Sequence, residues 1–389
     1  MKVELKTIQV RKGPACYENW KASLKGAPVR AEFEYPLYSD AHIVGHDLVE
    51  GVGPYQILNC VNWRNRQRPT LVLCTRHYLT YDPEVKIKTE DDTYHGGYLQ
   101  DEIAALISLM IGIRLKAGEA NREFGPGDQR GRPISYVVFS TDPIVPPIHD
   151  RPILPSATQD HQLSDASLLS SLLSLVPGDV VALIRAARMY QEAVWIIEST
   201  PELSWLMLTS AVETVASAWR PKVETPEESL RTSRPKLVAI LDEHGGNDLI
   251  LKVANELVGT IGATRNFIDF LLRFLPPAPS PRSHEWAQHA WDQRKMKKSL
   301  GIIYRHRSRA LHGGTPFPAP MSFAPMSVAE NPAPAERPLG LASSTRGATW
   351  AAKDMPMLLH VFEYIVRNAI LNWWRSLITT DEGAAHSNA

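Results

Sequence analysis

Between Asp142 and Pro155 the sequence DPIVPPIHDRPILP places five prolines in fourteen residues, and no regular element survives there. Each proline fixes φ at about −65° and lacks a backbone N–H, so a central strand would lose ladder bonds and a helix interior would clash. The chain is thereby split into two stretches, and its 389 residues are enough for two cores. The expected organisation is a domain over 1–141, a Pro-rich linker over 142–164, a second domain over 165–379 and a small, polar, disordered tail over 380–389.

The first stretch carries short β-branched and aromatic runs bounded by turn residues, at Tyr55–Val61, Thr70–Cys74 and Ile134–Phe139. Among them Ile103, Leu106, Ile107, Met110, Ile111 and Leu115 recur at helical spacing and predict a helix over Asp101–Lys116 that ends near Gly118. Phe124–Pro133 (FGPGDQRGRP) is a loop; it lacks the Gly-Lys-Ser/Thr ending of a phosphate loop and reads as a connector. Beyond the prolines the period turns helical, over Ala166–Leu175, Asp179–Ser199, a helix opened by Thr200-Pro201-Glu202, Pro235–Glu243, Asp248–Thr260, Thr264–Phe274, Trp291–Leu311 and Ala352–Leu377. The fold class expected is α+β overall: a mixed α/β N-terminal domain followed by an all-α helical bundle.

Lys plus Arg and Asp plus Glu are both 42, so no global field draws in a polyanion and any such contact needs a local patch. Cys16, Cys60 and Cys74 are odd in number and lack Cys-x-x-Cys spacing, which fits neither a zinc site nor a disulfide framework and points to a reducing cytoplasm. Met1–Lys12 has no apolar run of signal-peptide length, and Ile103–Ile113 and Leu203–Leu208 fall short of the roughly 20 residues a membrane span requires, so no membrane partner is expected. His42, His46, His77, His149 and His161 show no metal-ligand motif, and no metal is expected.

The segment Leu203–Trp219 (LSWLMLTSAVETVASAW) is apolar on nearly every face, which predicts a central helix. Its only charged residue is Glu213. A carboxylate taken out of water alone is costly, so a cation is expected opposite it. On the helix ending at His312, Leu300, Ile303, Tyr304 and Leu311 form one stripe, and Arg307 lies within it. Its stem would follow the core while the guanidinium reaches the acid, so a Glu213–Arg307 pair is expected. Arg305, Arg309 and His312 share another stripe and form a basic ridge. Gly313-Gly314 stops the helix, which puts His312 at a C-terminus where the dipole favours imidazolium.

The segment Ile303–Met321 (IYRHRSRALHGGTPFPAPM) contains Tyr-x-x-Arg-Ser-x-x-x-His-Gly and resembles the signature of HEPN domains, the ApeA-like branch in particular, in which an Arg is followed after four to six residues by a His. Arg307 and His312 match with four intervening residues and Arg305 with six; Ser308 favours Arg307, since the branch commonly has a small polar residue there. Pro201–Trp219 with its Glu213 and Gly262–Pro277 (GATRNFIDFLLRFLPP) also resemble that branch, so the resemblance covers about residues 165–380. It implies a helical bundle that dimerises so that two Arg/His motifs face a shared cleft, and RNA cleavage without metal or other cofactor. In that reading His312 moves protons to or from the 2′-OH and the leaving 5′-oxygen. Arg307, with Ser308 orienting or donating, stabilises charge on the phosphorus oxygens. Glu213 holds Arg307 in place, and Arg305 and Arg309 contact the RNA. The products would be 2′,3′-cyclic phosphate and 5′-OH ends, and the protein an endoribonuclease effector, as in phage defence, whose N-terminal half senses a trigger. Ser308 stands where many active members carry Asn, Asp or His.

The alternative is a non-catalytic HEPN-like dimerisation or RNA-binding module, in which Glu213 and Arg307 only stabilise the bundle. Two further features bear on either reading. Tyr55, Trp63, Arg64, Arg66 and Arg68 interleave aromatic and basic groups, as in a nucleic-acid surface or, more commonly, a solvated strand edge. Gly313–Arg346, with seven prolines, is expected to be a long loop that follows His312 directly and is placed to gate a cleft.

Overall fold

In Leu71–His77 the side chains of Leu71, Leu73 and Thr75 are buried and those between them are not, the two-residue alternation of a strand with one covered face. The computed structural model describes residues 13–60, 69–79, 94–125, 127–134, 142–147, 150–219, 225–257, 262–328, 331–340, 342–345 and 347–385. The expectations for Met1–Lys12, for Trp63, Arg64, Arg66, Arg68 and His149, and for most of Ile134–Phe139 therefore lie outside the described residues. Helix α1 (Ala15–Leu24) leads into strands β1 (Ala31–Tyr38), β2 (His42–Val44), β3 (Tyr55–Asn59) and β4 (Leu71–His77), helix α2 (Leu99–Ile111), and short strands β5 (Lys116–Ala117), β6 (Arg122–Phe124) and β7 (Arg132–Pro133). The sheet is antiparallel in the order β3-β4-β1-β6-β7, with β5 also paired to β1. Leu37 lies opposite Leu71, and Ile57 opposite Leu73.

Every residue of α2 except Asp101 is buried, as befits a helix enclosed on all sides. It ends at Gly112, whose φ of 85° is left-handed, earlier than the expected Lys116. Ile113 and Leu115 are buried beyond that cap, and their burial imitates a continued helical period. Helix α2 packs against a 3₁₀ stretch, Leu163–Ser174, and helix α3 (Pro177–Ile196). Helices α4 (Pro201–Ala218), α5 (Pro226–Ser233), α6 (Pro235–Leu257), α7 (Ala263–Arg273), α8 (Gln293–Gly313) and α9 (Leu359–Ala385) complete the C-terminal region. The fold is thus α+β, a strand-containing N-terminal region followed by a helical one.

The segment 142–164 does not act as a linker between two cores. Ile153, Leu154, Ala157 and Leu163 are buried in it, strand β8 (Asp160–Gln162) pairs in parallel with β2, and one hydrophobic core includes Cys16, Leu106, Leu183 and Trp374. Prolines forbid regular structure but not burial, so the apolar residues between them still pack. A small satellite cluster of Leu230, Val238, Ile250 and Ala254 joins α5 to α6.

The Gly313–Arg346 segment is packed in part rather than free to gate a cleft. Phe317, Ala319 and Met321 are buried, the Phe317 ring stacks on Trp205 at 5.2 Å, and Trp205 Nε1 donates to Ser322 Oγ at 3.2 Å. Two hairpins, β9 (Ser327–Val328) with β10 (Asn331–Pro334) and β11 (Ala342–Thr345) with β12 (Ala348–Ala351), carry the chain to α9. Deleting Pro316–Pro338 would remove these buried side chains and open the core. Helix α9 runs through Ala385, beyond Thr380, the expected start of the tail; no proline interrupts that stretch, and Glu382, Ala384 and Ala385 are good helix formers. Among the described residues no helix is long and apolar enough to cross a membrane.

Candidate functional site

Helix α8 begins at Asp292, whose carboxylate accepts the Lys295 backbone N–H at 2.9 Å. It ends where Gly314 adopts a φ of 63° and the Thr315 N–H reaches back to the Arg309 carbonyl at 3.2 Å. One face, with Met296, Ser299, Leu300, Ile303 and Tyr304, is buried. Between these caps QRKMKKSLGIIYRHRSRALHG has seven Lys and Arg and no acid, within a chain of zero net formal charge. The patch required for polyanion contact is therefore concentrated on this helix.

The buried face of α8 meets α4 and α7. Arg307 donates from NH2 to Glu213 Oε2 at 2.7 Å, and the Tyr304 hydroxyl donates to Glu213 Oε1 at 2.8 Å. Glu213 is thus held by two donors one turn apart on α8. The Arg307 guanidinium carbon lies 5.5 Å from the Tyr304 ring centroid, and Phe267 of α7 packs on the same ring at 5.2 Å. Burial, reinforced by the hydrogen bond and charge of Glu213, pushes the Tyr304 phenol up to about 12. Tyr304 stands in the predicted stripe, and its hydroxyl is a second partner of Glu213 that the helical period does not reveal. The available signal is a residue with an apolar ring and a polar tip one turn before the arginine. Arg307 Nε is buried and has no partner among the described residues.

His312 stands elsewhere on α8. Five positions along an α-helix turn through about 140°, so His312 and Arg307 leave the helix on different faces. His312 is exposed, as are Arg305 and Arg309 on the same stripe, and Ser308 is half-buried. Within one chain the structure brings Arg307 to Glu213 and does not bring it to His312.

The buried histidine of this helix is His306, overlooked in the sequence reading. Its Nε2 donates to the Asp354 carbonyl at 2.9 Å, its ring lies 5.9 Å from Phe317, and burial lowers its pKa. It ties α8 to the segment before α9. The other singled-out residues take structural places. Tyr55 is buried and donates to the Cys16 carbonyl at 2.5 Å, away from any nucleic-acid surface. His42 lies on β2 and pairs with Asp160 at 2.9 Å, and the three cysteines are free. The loop after β6 turns on Asp128, which accepts the Arg130 and Gly131 N–H groups at 3.0 and 3.1 Å, so these two donors are already engaged. No family model, no curated protein and no solved structure matches this chain.

Proposed function

We propose that the chain is a metal-independent endoribonuclease of HEPN type that acts as a homodimer. The observation that carries this reading is the partly exposed Arg307, oriented by Glu213 at 2.7 Å, on a helix without acids whose solvent face presents Arg305, Arg309 and His312. The exposed arginines and the histidine suit a phosphodiester backbone, and Arg307 supplies a positioned cation for charge on the phosphorus oxygens. His312 exchanges protons with the ribose 2′-OH and the 5′-oxygen, so that the 2′-oxygen bonds to phosphorus as the 5′-oxygen leaves. Because the two residues leave α8 on different faces, the site is completed across the dimer, with Arg307 from one copy and His312 from the other.

The test is cleavage of mixed RNA by the full chain in EDTA, with Arg307→Ala and His312→Ala and analysis of product ends. The reading expects cyclic phosphate ends from wild type and none from either variant. Mixing the two inactive variants restores roughly a quarter of wild-type activity if the site is shared, because half the dimers are mixed and each keeps one intact site. A second reading, a non-catalytic RNA-binding or dimerisation module, is favoured by the engagement of Arg307 with Glu213 and its separation from His312. It expects RNA retention without cleavage and no effect of His312→Ala on any readout.

A further inference from the structure

At the opposite end of α8 a cavity of about 580 Å³ opens between that helix, the 282–291 segment and the 337–338 and 352–356 segments. Its volume falls within the range of small-molecule sites. Five cations line it, Arg282, Lys295, Lys298, Arg337 and Lys353, with Glu285 the acid on its wall. Two of the cations are offset. Arg282 makes a bidentate pair with the buried Glu336 at 2.7 and 2.6 Å, and Lys295 lies 3.6 Å from Asp292. Arg337 donates to the Trp286 carbonyl, a neutral acceptor that leaves its charge in place. Lys298 and Lys353 are exposed and have no ion-pair partner among the described residues. Three cations therefore face the cavity against Glu285.

A second observation is independent of this charge. His289, on the cavity wall, is 6% exposed, and its Nδ1 lies 3.0 Å from the Pro356 carbonyl. A carbonyl only accepts, so Nδ1 carries the proton and the neutral ring leaves Nε2 as an acceptor. Burial lowers the pKa of this ring, in keeping with the neutral form. Nε2 is buried without a partner among the described residues, and such an atom costs stability unless something outside the chain donates to it. The residue that carries this orphaned acceptor thus stands on the wall of the cavity that the cations line.

We propose that this cavity binds a small hydroxyl-bearing phosphate ester, with Lys298, Lys353 and Arg337 on the phosphate and His289 Nε2 accepting from a hydroxyl. The site lies on the same helix as the Arg307 motif but does not depend on the nuclease reading, and its test reads binding rather than cleavage. The full chain is titrated with ribose 5-phosphate, adenosine 5′-monophosphate and, as the uncharged control, adenosine, by calorimetry and by the shift in melting midpoint. Both phosphate esters are expected to bind and adenosine is not. Lys298→Ala with Lys353→Ala, both at exposed positions, should weaken binding about tenfold or more. His289→Leu should weaken it further, whereas His289→Gln, which keeps a carbonyl acceptor, should retain most of the affinity. If His289→Leu fails to fold, the lysine pair still decides. Short oligonucleotides with and without a 5′-phosphate separate the two sources of the group. The proposal is overturned if neither ester binds, if the lysine pair leaves their affinity unchanged, or if a 5′-phosphorylated oligonucleotide binds where the free esters do not.

Discussion

Arg114 and Arg307 both reach carboxylates, but the two centres are satisfied to different degrees. Arg114 is 1% exposed. It donates from Nε to both oxygens of Asp40 at 3.1 and 3.0 Å, from NH2 to Asp40 again, and from NH1 to Glu198 at 3.3 Å. Glu198 in turn accepts the Ile153 and Leu154 N–H groups at 2.8 and 3.2 Å. That network ties the turn after β1, the chain leaving α2, the end of α3 and the Pro-rich segment into one body. Arg307, 18% exposed, makes one bond to Glu213 and keeps a buried Nε without a partner among the described residues. The first centre gives every group it removes from water a partner, one guanidinium shared between two carboxylates and two backbone N–H groups on Glu198. The second is held through a single nitrogen while part of its guanidinium stays in reach of solvent, the state of a group positioned to meet something outside the chain.

The larger effect is expected at Arg114. Arg114→Ala leaves Asp40 and Glu198 buried without their cation and should cost about 3–5 kcal/mol, read as a fall in ΔG of urea unfolding. A loss below about 1 kcal/mol would mean that water replaces the guanidinium and that the lock is not one. Arg307→Ala and Glu213→Ala should each cost only about 1–2 kcal/mol, because both side chains remain in reach of solvent, while on the proposed nuclease reading Arg307→Ala should also abolish RNA cleavage. Equal stability losses at the two arginines would erase the distinction between lock and site.

The two centres were not equally legible. Glu213 stands out as the lone charge of the apolar stretch Leu203–Trp219 and Arg307 as a cation inside an apolar stripe, so periodicity alone suggests that they meet. Nothing local links Arg114 to Asp40 or Glu198, which lie 74 and 84 positions away and meet only through tertiary packing. Leu163–Ser174 is instructive in the same way. Leu163, Ala166, Leu169 and Leu172 are buried at intervals of three, the period of the 3₁₀ helix that forms, yet the stretch from Ala166 reads as an ordinary helix. The break in α6 at Gly246 was visible as Gly245-Gly246, whereas α1 was not, since its buried face mixes Cys16, Tyr17, Asn19 and Trp20. The division at the prolines misled because it treated irregular backbone as the edge of a core, and backbone regularity says little about which side chains pack across it.

A smaller effect sharpens the second centre. Tyr304→Phe removes one hydrogen bond to Glu213 and should cost about 1 kcal/mol at neutral pH. The folded-state phenol titrates at about 12, above the ordinary value of 10.0. Its contribution is therefore complete below pH 10 and is lost as pH rises through 12, since the unfolded chain releases that proton first. The gap in unfolding free energy between wild type and Tyr304→Phe should shrink across that window, and a gap independent of pH would show that the hydroxyl is not held by Glu213.

The smallest expected change in stability is at His312, and it is the most informative about function. The side chain is exposed at the end of α8, so His312→Ala should alter unfolding by no more than about 0.5 kcal/mol. Arg307→Ala cannot separate site from scaffold cleanly, because it also strands Glu213 and Tyr304. His312→Ala can, since it leaves the bundle and the basic face of Arg305 and Arg309 intact. A variant that keeps wild-type stability and RNA retention but loses cleavage identifies the imidazole as a proton carrier. Unchanged behaviour in all three assigns α8 to binding alone and makes Arg307 a partly exposed counterpart of Arg114.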